Sequence, residues 1–108
     1  QPHRYSRTKA LSEEFGRAFR EAHTVVVTAI YPACERPLPG VSSNAIVAAI
    51  AAETESDLYS IPGKEEVVTF LRSYIEPGDF IISFGAGDIW TVTEALSNVL
   101  KEGAFCRA

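Results

Sequence analysis

The chain has 108 residues, 46% of them hydrophobic, and a formal net charge of −4, which suits one globular domain over residues 1–108 rather than a disordered chain. The acidic balance argues against nucleic-acid or anionic-membrane binding, and no apolar run approaches the roughly 18 residues of a membrane span. Cys34 and Cys106 stand in no disulfide or zinc spacing and no signal-peptide pattern is present, so a soluble cytoplasmic domain is expected.

The opening octet QPHRYSRT (residues 1–8) gathers His3, Arg4 and Arg7 around Tyr5 and reads as a loop that leaves a strand. A parallel α/β unit supplies such a strand just upstream, so Gln1 is read as an artificial start and the chain as lacking part of its sheet. Leu11, Phe15, Phe19 and Ala22 fall on one helical face, which predicts a helix to about residue 22 with Ser6 or Thr8 as its cap. The run TVVVTAIY (24–31) predicts a strand buried on both faces. Residues 32–43 hold three prolines and a glycine and must form a loop. Ser43 or Asn44 can cap the helix that follows (45–53), whose alanines permit close packing.

Residues 57–61 predict a second strand, ended by Pro62-Gly63. Val67, Val68, Leu71, Tyr74 and Ile75 mark the apolar face of another helix, a turn follows at 77–79, and FIISF (80–84) predicts a third strand. GAGD (85–88) leads into a last helix with Ile89, Val92, Leu96, Val99 and Leu100 on one side. Strands alternating with helices imply a three-layer α/β domain, with a mainly parallel sheet and helices on both faces.

In such a sheet ligands bind beyond the carboxyl ends of the strands. Residues 1–8, 31–43 and 85–88 map to that rim, which brings His3, Arg4, Arg7, Glu35 and Asp88 together. Residues 1–20 carry five Lys/Arg against two Glu, a local balance of +3, while the remainder carries five against twelve. That distribution suits one small anion better than a polyanion. Arg4 and Arg7 are spaced to aim two guanidiniums at one carboxylate or phosphate; the alternative is that they pair with surface carboxylates such as Glu13 or Glu35. Glu35 sits in a proline-stiffened loop, either positioned or merely solvated. Gly85 and Gly87 can let an anion approach backbone N–H groups, but Trp90 stands where a dinucleotide fingerprint needs glycine. Asp88 also suits a helix N-cap, Ile89 and Trp90 suit core or domain-interface packing, and His23 a surface position. No catalytic set is complete, and no spacing suggests a metal site.

The three rim segments, QPHRYSRT, IYPACERPLPG and GAGDIW, together resemble the C-terminal domain of the Mur ligases, in order and over nearly the whole chain. The resemblance implies a Rossmann-like domain of an ATP-dependent, amide-forming enzyme of peptidoglycan synthesis. ATP, with Mg2+, phosphorylates the carboxylate of UDP-N-acetylmuramate, and the amine of L-alanine attacks the acyl phosphate. It further implies missing N-terminal and central ATPase domains, which hold the UDP-sugar and most of the ATP site. In that setting His3, Arg4 and Arg7 meet the L-alanine carboxylate or a phosphoryl group, with Glu35, Gly85, Gly87 and Asp88 as rim contacts. Two features depart from the family: Cys34 stands where it usually has Gly or Arg, and its Asp-Asp-Tyr-Gly-His-His-Pro segment, expected upstream, is absent. The chain alone is therefore expected to be inactive. The alternatives are the related ligase that adds recycled tripeptide, and a stand-alone α/β module that binds a small anion.

Overall fold

Four consecutive β-branched residues, Thr24–Val27, form strand β1, because their stiff side chains favour the extended backbone. In this computed structural model, which describes residues 1–102, β1 pairs in parallel with β2 (Asp57–Ser60), Thr24 opposite Asp57 and Val27 opposite Ser60. Cys106 lies outside the described residues.

The pleat of β1 sends alternate valines to two cores. Val25 and Val27 are buried against Ile46 and Ile50 of α2 (Asn44–Glu53), with Phe15 of α1 (Tyr5–Arg17) beside them. Val26 packs on the opposite cluster, where Val67 and Leu71 of α3 (Lys64–Tyr74) meet Val92 and Leu96 of α4 (Trp90–Lys101). Helices therefore cover both faces of a parallel sheet, as the alternation of elements implies. The first pair of helices crosses closely: a Cβ on Gly16 would lie 2.6 Å from the Ala49 carbonyl oxygen.

Three predicted elements end differently. The helix expected to reach residue 22 stops at Arg17, and a turn closed by Ala22 N–H donating to the Phe19 carbonyl carries the last apolar residues into the core. The strand expected over 24–31 ends at Val27; beyond it the Ile61 N–H still donates to the Val27 carbonyl at 2.9 Å and the Ala29 N–H to the Pro62 carbonyl at 3.2 Å. Tyr31 instead exchanges both backbone hydrogen bonds with residues 2–4: its N–H donates to Pro2 and its carbonyl accepts from Arg4, each at 2.8 Å.

The strand expected over 80–84 is absent; among the described residues the sheet has two strands. A parallel strand needs a neighbour edge to satisfy its backbone. Here a cavity of about 620 Å³, lined by Phe15, Phe19, Val25, Val27, Leu71 and Phe84 among others, separates the segment from β1. Phe80 is 95% exposed and Ile82 68% as a result. Among the described residues no helix is long and apolar enough to cross a membrane.

Candidate anion-binding rim

The three rim segments meet beyond the carboxyl ends of β1 and β2. His3 pairs with Tyr31 as an isolated parallel bridge, and their rings stack at 5.7 Å and 11°. The Nδ1 atom of His3 is buried without a hydrogen-bond partner among the described residues. Arg4 is the N-cap residue of α1 at φ 67, a left-handed conformation that favours glycine, and its side chain is exposed. Thr8, wholly buried, donates its hydroxyl to the Arg4 carbonyl at 2.8 Å. These bonds, with the pair to Tyr31, hold Arg4 in place despite the cost of its φ.

Neither Ser6 nor Thr8 caps the helix, as sequence spacing suggested. The cap comes from Glu35, 29 residues away: Oε1 accepts from the Ser6 N–H at 2.9 Å and Oε2 from the Ser6 hydroxyl at 2.6 Å. Local capping rules read only the neighbouring residues, so this partner was hidden. The Ser6 bonds hold the Glu35 carboxyl below the usual carboxylate range, with Arg4 a lesser contributor. Glu35 therefore makes no ion pair with Arg4 or Arg7. Among the described residues neither arginine forms a salt bridge, whereas Arg20 pairs with Glu53 at the other end of the first helix pair.

The GAGD loop also differs from expectation. A Cβ on Gly87 would sit 2.5 Å from the Tyr31 ring, and one on Gly85 2.9 Å from Ile89; in this structure both glycines make room for protein. The side chain of Asp88 is not a cap. It accepts from Gln1 Nε2 at 2.9 Å and forms an ion pair with Lys64, and the ammonium first, then the amide, pulls its carboxyl below the ordinary range. Only the Asp88 carbonyl serves α4, accepting from Thr91 N–H and hydroxyl. Lys64 is a rim residue that the motifs missed. The signal was present, since Pro62-Gly63-Lys64 follows the carboxyl end of β2 and obeys the same rim rule. Ile89 is buried, but Trp90 is 57% exposed and is not core packing within this domain.

Three segments are thus tied into one surface by Tyr31, Glu35 and Asp88, and the exposed guanidiniums of Arg4, Arg7 and Arg36 on it form no salt bridge among the described residues. Such a surface suits a carboxylate or phosphoryl oxygen. Both rim carboxylates are committed to protein donors, Glu35 to Ser6 and Asp88 to Gln1 and Lys64.

No protein-family model matches the chain. It is 46% identical over 108 residues to the UDP-N-acetylmuramate–L-alanine ligase of Symbiobacterium thermophilum, covering 99% of this chain and 22% of that one. The ligases of the same name from Pelotomaculum thermopropionicum, at 44% over 94% of the chain, and Syntrophus aciditrophicus, at 42% over all of it, agree. The chain is a segment of the Mur ligase family. It spans about 22% of the length of the curated relatives it matches. The Mur-ligase motifs named from sequence are the segments that converge at the rim.

Proposed function

We propose that this chain is the C-terminal, lid-like domain of an ATP-dependent ligase that joins L-alanine to UDP-N-acetylmuramate in peptidoglycan synthesis. The observation that carries the reading is the rim itself, where His3 stands beside two exposed arginines without ion-pair partners among the described residues, in a chain similar throughout to ligases of that name. Arg4 and Arg7 bind the L-alanine carboxylate, or a phosphoryl oxygen once the domains close, and His3 donates to the same anion. A guanidinium matches the two oxygens of a carboxylate and leaves the amine free to attack. Attack on the acyl phosphate forms the amide C–N bond and releases phosphate. Closure excludes water, which would otherwise hydrolyse the acyl phosphate. ATP and Mg2+ belong in this reading to the central domain beyond this chain, so the chain by itself is inactive. Its nucleotide substrates make the cytoplasm the setting.

The test is steady-state kinetics on the full-length ligase. Arg4→Ala and Arg7→Ala are expected to raise the KM for L-alanine about tenfold or more while the KM for ATP holds. Unchanged L-alanine kinetics in both variants overturns the site. Supplying a muramyl tripeptide's peptide portion in place of L-alanine distinguishes the related ligase that adds tripeptide, for which free L-alanine would be the poorer acceptor.

A further inference from the structure

Glu35 looks like a ligand contact by its place on the rim, yet its hydrogen bonds give it another task. Both of its oxygens are taken by Ser6, at 2.9 and 2.6 Å. The first turn of a helix leaves N–H groups unpaired and attracts negative charge, and α1 has neither an acidic residue in that turn nor a side-chain cap of its own. Two consecutive residues in the left-handed region, Ala33 at φ 51 and Cys34 at φ 68, with the Glu35 N–H donating to the Pro32 carbonyl at 3.0 Å, turn the loop back towards that helix end. Left-handed backbone at residues bearing a Cβ is unfavourable, so the turn persists because the surrounding contacts hold it.

We propose that Glu35 is a positioning residue: by capping the first turn of α1 it fixes Arg4 and Arg7 for the amino-acid carboxylate, and it does not touch the ligand. The capping carboxylate also occupies the anion place at the helix N-terminus, leaving an incoming carboxylate to the guanidiniums. The proposal rests on the reading that these arginines bind L-alanine.

The experiment uses the full-length ligase, with L-alanine as the probe, and compares Glu35→Ala, Glu35→Gln and Ser6→Ala with Arg4→Ala and Arg7→Ala. A glutamine can keep both Ser6 contacts, its oxygen accepting from the N–H and its amide donating to the hydroxyl, but it carries no charge. Glu35→Ala is expected to raise the KM for L-alanine about tenfold with kcat within about twofold, and Glu35→Gln to restore KM to within about threefold of the parent. Ser6→Ala, which removes one of the two bonds, is expected to fall between them. A glutamine variant as impaired as the alanine variant overturns the proposal, because it would show that the charge itself contacts the substrate. So does an alanine variant with unchanged KM. If Glu35→Ala does not fold, Glu35→Gln and Ser6→Ala decide: a KM raised more in the serine variant than in the glutamine variant supports the cap, and a KM raised about tenfold in the glutamine variant refutes it. Should the arginine variants leave KM unchanged, the underlying reading fails instead, and the two failures are thereby told apart.

Discussion

Tyr31 ties the rim together through different parts of one residue: its backbone bonds to Pro2 and Arg4, its ring stacks on His3, and the same ring lies over Gly87. Gly87→Ala would place a methyl group 2.5 Å from that ring, and a shift large enough to relieve it costs about 1–3 kcal/mol. A urea denaturation midpoint below that of the parent is the expected result. The two rim carboxylates make a second prediction. Glu35 and Asp88 both titrate below their ordinary values in the fold, so their stabilisation is present above the unfolded-state carboxylate range and is lost as pH falls through the folded-state values. Urea midpoints measured from about pH 7 down to about pH 3 should fall, and the drop should be shallower in Asp88→Asn, which has no charge to lose. At this scale the sequence disclosed which residues gather at the rim and misassigned several of their partners. Glu35, Asp88 and Gly87 are joined to residues distant in the chain, and a motif carries no trace of a contact made across such a distance.

Helix positions were more legible, because a 3.6-residue apolar period reports directly on which side is buried. The alanines of α2 likewise foretold close packing, and Gly16 against Ala49 is where it occurs. Gly16→Ala separates two opposed effects. Helix propensity favours alanine by about 1 kcal/mol, whereas a Cβ 2.6 Å from a backbone oxygen forces the helices apart at about 1–3 kcal/mol. The clash should win, and the melting temperature of the variant should fall rather than rise. The segment 80–84 shows the opposite limit. Its β-branched and aromatic residues have strand propensity, but a strand also requires an edge to bond, and that edge is a property of the assembled sheet. Propensity cannot report whether the neighbouring place is filled.

Over the whole molecule, charge and apolar surface are divided. Of the five Lys/Arg among the first twenty residues, Arg4 and Arg7 stand at the rim, whereas Arg20 pairs with Glu53 at the far end of the helix pair. The apolar surface lies elsewhere, where Phe80, Ile82 and Phe84 are exposed alongside the cavity of about 620 Å³. Exposed apolar area of this kind binds hydrophobic dyes without unfolding. The folded 108-residue chain should therefore enhance the fluorescence of an anilinonaphthalene sulfonate dye, and Phe80→Ser with Ile82→Ser should weaken the signal while far-ultraviolet circular dichroism is preserved.

The loop that delivers Glu35 to the helix also presents Cys34, an exposed free thiol in a left-handed backbone conformation. That neighbour makes the rim accessible to spectroscopy. With Cys106 replaced by serine, a maleimide fluorophore or nitroxide on Cys34 would stand one residue from the cap. Its anisotropy or line shape would then report the arrival of an amino acid at the arginines, making the loop's own thiol a built-in attachment point for a probe.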